Sequence, residues 1–330
     1  MSNYIKYILA IVIFFLGTIW FIWSFNRLIS SSPNSLDGQI FKISGGEGVS
    51  EIVKKLDEGG FISSTAIFKG YVYIFGYYSK LKPGIYKISR NMNIIDLVNV
   101  FINGSSDTEV TIFPGMTMKE ADEALKKAGV LDNELIEGLR PDNFVSDYPF
   151  LSGAKDFEGF LMPDTYRFRL GSKVSEVVKI ILDNFNKKAG ESLKGQNILE
   201  VVTLASLVEK EVIGSDDKAI VAGIIENRIS KKMPLQIDAT IVYWICGRGY
   251  LNCDGIKASD YKKDFEYNTY TNRGLPPGPI SNPTIESIEA VLHPIKSSYF
   301  YYLSDPKTKK TIFSKTFDEH NENRSKYLGL

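Results

Sequence analysis

ILEVVTLASLVEKE, residues 198–211, has apolar side chains on every side of a helix of ~3.6 residues per turn, until its last three positions. Such a run predicts a core helix, buried all round. Asn197 stands where a cap is needed, Glu200 follows in capping-box register and Gly214 is the stop, so the helix is expected over residues 198–213. Its exit is charged. A carboxylate at Glu209 is partly desolvated and near the negative end of the helix, and both effects disfavour ionisation. That keeps a carboxylic acid protonated near neutral pH for general-acid work. Glu209 and Glu211 also read, more simply, as the place where the helix surfaces.

Working outward, residues 174–189 form an amphipathic helix and residues 217–230 another, with Ser215 as its cap. Beyond it the chain turns loop-rich: YNTYTNRGLPPGPISNP spans residues 267–283. Loops of this kind, placed by a helical scaffold, are where binding residues lie. Tyr and Asn suit sugars, one offering a face for stacking and the other an amide for hydroxyls. The aromatic run YFYYL (299–303) with residues 311–313 reads as a closing hairpin whose rings belong to the core.

On the N-terminal side, FKISGGEGVSEIVKKLDEGGFI (41–62) and VTIFPGMTMKEADEALKKAGVL (110–131) match position by position. Gly46, Val49, Ile52, Leu56 and Gly60 align with Gly115, Met118, Ala121, Leu125 and Gly129. GIYKISRNMNIIDLVNVFINGS (84–105) repeats the strand–turn–helix theme more loosely, with Ile88, Ile94, Leu97 and Phe101 inward. Such units cannot bury their apolar faces singly and should pack together. A further helix over residues 65–75 completes a βααβ arrangement, with residues 41–44 and 85–89 as its paired strands.

Lys+Arg and Asp+Glu are both 39 in 330 residues, so no overall charge steers the chain toward nucleic acid. Residues 7–25, YILAIVIFFLGTIWFIWSF, carry no charge and are long enough for one bilayer crossing, with Trp20, Trp23 and Phe25 clustered at one end. A cleaved signal peptide fits less well, because the stretch is too long and lacks a small-x-small exit. The expected order is a cytoplasmic N-terminus (1–6), a transmembrane helix (7–25), a linker (26–39), the βααβ module (40–104) and a mixed α+β domain (105–330). Cys246 and Cys253 suit a small loop staple outside the cytoplasm. No cofactor or metal is expected, and His293 and His320 read as structural.

Four separated motifs, EGFLMPDTYRF (158–168), LASLVEKE (204–211), LQIDATIVY (235–243) and YNTY…GLPPGPISNP (267–283), together resemble the YceG-like endolytic murein transglycosylases. Their order, spacing and N-terminal anchor resemble that family over nearly the whole chain. The resemblance implies that the βααβ unit is LysM-like and that Glu209, the first Glu of VEKE, is catalytic. It also implies cleavage of the β-1,4 bond between N-acetylmuramic acid and N-acetylglucosamine, leaving 1,6-anhydro ends. The sugar's own C6 hydroxyl attacks, so one carboxyl suffices where ordinary glycosidases need two. Gln236 and Asp238 are substrate-contact candidates, although LQIDAT lacks the threonine and proline common beside that aspartate, and strand-end capping is the other reading. Asn268 either contacts an acetamido group or fixes its loop; Glu158 and Asp164 read as structural. The implied setting is the cell inner membrane, with the catalytic domain on the extracytoplasmic side, beside penicillin-binding proteins that polymerise strands. Two readings compete: a catalytically inactive peptidoglycan-binding scaffold, and a hydrolytic muramidase with Asp238 as second carboxylate.

Overall fold

The two matched repeats fold alike. β1 (Gln39–Ile43) leads into α1 (Val49–Glu58) as β3 (Asp107–Ile112) leads into α4 (Met118–Lys127), where β2 (Gly84–Ile88) and the helices α2 (Thr65–Ile74) and α3 (Ile94–Asn103) come between. Gly46 and Gly115 hold equivalent turn positions with φ +88° and +71°, a region in which a Cβ is costly. Val49, Ile52 and Leu56 are buried in one helix as Met118, Ala121 and Leu125 are in the other. Thr117 and Glu120 close a capping box at the start of α4.

The computed structural model describes Leu16 and residues 38–329 except Ser106, Asp132, Asn133, Ile213, Asn252 and Asp254. The segment 7–25, expected to cross a membrane, lies outside the described residues save for Leu16. Among the described residues no helix is long and apolar enough to span a bilayer. The chain divides into two compact units, one ending at Thr108 and taking in Arg169–Gly171, the other made of Glu109–Phe168 and Ser172–Leu330. The repeat at 110–131 thus folds in the second unit, because β3 pairs with β4 (Asp164–Arg169) and not with the first sheet.

In the first unit β1 and β2 pair antiparallel with Phe41 opposite Tyr86, and α1 and α2 lie between them in sequence. Phe101 of α3 stacks on Phe41 at 5.6 Å and meets Tyr86 edge-on at 5.0 Å. Both contacts seal a core of Ile52, Leu56, Phe68 and Leu97.

The second unit is mixed α+β and is built around α6 (Ile198–Glu211), with α5 (Val174–Ala189) before it. Every residue from Val202 to Val208 is buried, as expected of a helix apolar all round. α7 (Ser215–Ser230) and α9 (Ile285–Leu292) pack on it; α8 (Asp238–Ile245), the hairpin β5 (Tyr301–Ser304)–β6 (Thr311–Ser314) and α10 (Phe317–Leu328) complete the unit. The details at α6 differ from expectation. Asn197 gives its amide to Glu200 Oε2 at 2.9 Å and caps no backbone group. The helix stops at Glu211, Gly214 is the N-cap of α7, and Ser215 is its first residue. LQIDAT forms no strand; it enters α8, with Asp238 as the first helical residue.

Two polar side chains anchor the 274–283 loop. Ser206, buried in α6, accepts from Ile280 N at 3.0 Å and donates to Thr203 O at 2.7 Å. Asn282 accepts from Gly159 N and Leu161 N, both at 2.9 Å, and donates to Met116 O. Gly159 has φ +88°, and a Cβ there would meet Pro279 and Val202 at 2.6 Å, so the loop, α6 and the EGFLMP turn touch backbone to side chain. Ser206→Ala leaves the buried Ile280 N–H without a partner and is expected to cost about 1–3 kcal/mol. Urea unfolding checks this as a lower midpoint at unchanged slope.

Candidate active site

Each step along a helix turns about 100°, so Glu209 and Glu211 leave α6 on roughly opposite sides. Glu209 turns toward α7 and α9. Its Oε2 accepts from Thr284 N at 2.9 Å, Thr284 Oγ1 at 2.7 Å, Ser287 Oγ at 2.6 Å and Lys218 Nζ at 3.1 Å. Thr284 is the N-cap of α9, so the carboxylate also sits at the positive end of a helix. The Glu209 and Lys218 side chains are each only 7% exposed. Burial disfavours the charge, but the hydrogen bonds from Ser287 and Thr284 and the nearby Lys218 cation outweigh it and hold the carboxyl below its ordinary range. The protonated Glu209 expected from the helix end is therefore overturned: desolvation is present, but four donors oppose it.

Glu211 turns the other way, into a cavity of about 540 Å³. Tyr302, on β5, donates to its Oε2 at 2.7 Å. Burial pushes this carboxyl up to about 7 and the charge of Asp238 adds to the shift, while the Tyr302 hydrogen bond and Arg228 oppose it. A proton-transfer group needs its pKa near the working pH and access to the reacting bond. Glu158 shows why access matters. Burial pushes it to about 8 as well, yet it is 1% exposed and takes hydrogen bonds from Met118 N and Tyr243 OH. It is a core fastening, whereas Asp164, its side chain 41% exposed, pairs with Lys188 at 2.8 Å nearer the surface.

Gln236 and Asp238 line the same cavity as Glu211. Asp238 accepts from Tyr270 OH at 2.5 Å and Tyr261 OH at 3.4 Å. Gln236 is held at φ +54°, a left-handed conformation costing roughly 1–2 kcal/mol for a residue with a side chain. The surroundings enforce it. Arg228 Nη1 donates to Leu235 O at 2.7 Å, Gln236 N donates to Thr269 O at 3.1 Å, and Ile237 N donates to Thr269 Oγ1 at 2.9 Å. A strained residue over-determined by its neighbours and exposed at a cavity is the pattern of a working position.

Asn268 does not join them. It is fully buried; its Nδ2 donates to Tyr261 O and Lys263 O, and its Oδ1 accepts from Tyr270 N at 2.9 Å. With both ends of the amide committed it fixes the loop, and the acetamido contact considered for it is corrected. Sequence reading passed over Arg228, Tyr270, Tyr301 and Tyr302, all lining the cavity. The YFYYL run was the available signal, but alternation sends Tyr301 and Tyr302 to opposite strand faces and hides that both reach this space. Cys246 and Cys253 are joined as a disulfide, closing the loop after α8, and Glu120 Oε1 accepts from Tyr250 N at 2.7 Å inside that loop.

Breaking a buried ion pair strands the other charge, a loss of about 3–5 kcal/mol. Glu209→Ala is expected to destabilise by that order through Lys218, and Glu209→Gln by less, since the amide keeps an acceptor. Because the folded carboxyl is held low, its contribution is present above the ordinary carboxylate range and fades as pH falls through the lowered value. Urea unfolding of wild type and both variants from neutral to strongly acidic pH checks this: the gap between the curves narrows only on the acid side.

A model of the YceG-like family matches residues 41–326. The chain is 31% identical over 308 residues to the endolytic murein transglycosylase of Bacillus subtilis (strain 168), covering 87% of this chain and 84% of that relative. It is 27% identical over 339 residues to the protein of the same name from Streptococcus pneumoniae serotype 2, covering 92% of this chain but 61% of the relative's length. The 2.6 Å crystal structure of a YceG-like protein from Listeria monocytogenes aligns with a TM-score of 0.57 at 28% identity, over 88% of this chain and 100% of that one. With the family pattern running through both units and a relative matched along most of its own length, the chain belongs to the YceG-like family.

Proposed function

We propose that this chain is an endolytic murein transglycosylase in which Glu211, and not Glu209, transfers the protons. Relatives that bear that name support the activity. The observation that carries the assignment of the acid is a carboxyl pushed up to about 7 that opens on the cavity, beside a second glutamate fully engaged in an ion pair. The substrate is the glycan of peptidoglycan, cut between N-acetylmuramic acid and N-acetylglucosamine. Glu211 gives its proton to the glycosidic oxygen as the C1–O bond breaks and the electron pair stays with that oxygen. The muramyl C6 hydroxyl oxygen bonds to C1 and its proton passes to the Glu211 carboxylate. A 1,6-anhydro end results, the acid is regenerated, and no water is consumed. Intramolecular attack brings a high effective molarity. Gln236 and Asp238 are the substrate contacts, Gln236 through an amide held at the cavity wall.

The wider setting belongs to the same proposal. Residues 7–25 anchor the chain in the cell membrane, the βααβ unit at 40–104 is LysM-like and the remainder, 105–330, acts outside the cytoplasm. Cleavage there ends nascent strands beside the penicillin-binding proteins that make them. External protease is expected to digest the chain on spheroplasts, and protection of the full length would overturn this placement.

The test of the chemistry is release of 1,6-anhydro-muramyl fragments from purified sacculi. Glu211→Gln is expected to lose at least 10²–10⁴-fold, roughly the worth of a general acid–base. Reducing ends in place of anhydro ends would point to hydrolysis with Asp238 assisting, and absence of any cleavage to a scaffold. Loss of activity in Glu209→Gln at a temperature where it stays folded, with Glu211→Gln active, would return the role to Glu209.

The acid must be protonated in the free enzyme, so kcat/KM is expected to hold below about 7 and to fall above it, about tenfold per pH unit. Tyr302→Phe removes a hydrogen bond that favours the charged form and should move this limb to higher pH. Asp238→Asn removes a repelling charge and should move it lower. Shifts in the same direction, or none, would contradict the cavity electrostatics described above.

A further inference from the structure

The wall of the cavity contributed by α10 has a chemistry that proton transfer at Glu211 does not use. Phe317, His320 and Arg324 all line it, at a spacing of three and four residues that puts them on one helix face. α10 buries none of its residues. Its inward stripe is a cavity wall and not part of the core.

Arg324 has no hydrogen bond or ion pair to any described residue. His320 Nδ1 is buried with no hydrogen-bond partner, and the ring stacks on Tyr301 at 5.2 Å. Arg228 adds a second cation to the same space, its guanidinium 5.1 Å from the Tyr301 ring. Against these stand Glu211 and Asp238, and Asp238 already accepts from two tyrosine hydroxyls. An unpaired guanidinium beside an unsatisfied imidazole matches an anion, and the planar fork of Arg matches a carboxylate. Phe317, 57% exposed, offers an apolar face next to it.

We propose that Arg324 and His320 form an anion subsite that takes a carboxylate carried by the glycan strand, so that the last helix selects acidic muramyl strands over neutral polysaccharide. The inference rests on the murein reading above. The carboxylate has two possible sources, the lactyl group of a peptide-free muramic acid or the stem peptide of a substituted one.

Equilibrium binding tests it without relying on turnover. Fluorescently labelled strands are titrated with Glu211→Gln, and with Glu211→Gln carrying Arg324→Ala or Arg324→Lys, and followed by anisotropy. Three probes are used: peptide-bearing strands, peptide-free strands, and peptide-free strands with the lactyl carboxyls converted to methyl esters. The Arg324-containing protein is expected to prefer acidic strands over their esters by about tenfold, the worth of one charge-assisted hydrogen bond at a partly exposed site. Arg324→Ala removes the preference and Arg324→Lys restores part of it. An effect confined to peptide-bearing strands identifies the stem peptide, and one present on peptide-free strands identifies the lactyl group. An unchanged preference in Arg324→Ala, or none in the Arg324-containing protein, overturns the subsite. Failure of the murein reading is told apart by the wild type, which would then cleave none of the strands whatever the binding shows.

Discussion

The turn of an α-helix by about 100° per residue is the constraint on which the second unit depends. Two glutamates two residues apart at the end of α6 cannot share a face. One enters a closed polar junction with Lys218, Thr284 and Ser287. The other enters a cavity with a single tyrosine donor. Burial disfavours the charge on both, so desolvation alone would raise both carboxyls. The number of donors decides between them: with four the charge is stabilised, with one it is not. The junction at Glu209 also docks α7 and α9 onto α6, and those helices carry Arg228 and the end of the 274–283 loop toward the site.

Around Glu211 the fold maintains strain by rigid support. Gln236 adopts a left-handed backbone because the carbonyl before it and the amides on either side are claimed by Arg228 and Thr269. Arg228 has two consequences: its fork fixes the Leu235 carbonyl and its charge tempers the Glu211 carboxyl. Geometry and proton affinity at the site are therefore coupled through one guanidinium.

Much of the architecture was legible because it rests on local periodicity. The βααβ pairing, the repeat of residues 41–62 in 110–131, the buried central helix and the closing hairpin all follow from where apolar residues recur. The strand-end alternative for Gln236 and Asp238 fails because LQIDAT runs into a helix, with Asp238 at its first position. The choice between Glu209 and Glu211 was not legible. It turns on Thr284 and Ser287, which lie 75 and 78 residues further on and look unremarkable in sequence. Asn268 misled for a related reason: an Asn in a Tyr-rich loop looks available until its carbonyl partners are known.

Asn282 joins three places far apart in the chain: the turn at Gly115–Met116, the EGFLMP segment at Gly159 and Leu161, and its own loop. Its bond to Met116 closes a span of 166 residues. At a synthesis rate of about 5–20 residues per second, on the order of ten seconds or more passes between the emergence of the two partners. Until then the amides of Gly159 and Leu161 have no acceptor and the backbone around Met116 has no donor. The second unit thus cannot close from its N-terminal end. Its assembly is topologically late, with high contact order, and a nascent chain released before this asparagine keeps an open seam that water alone can satisfy.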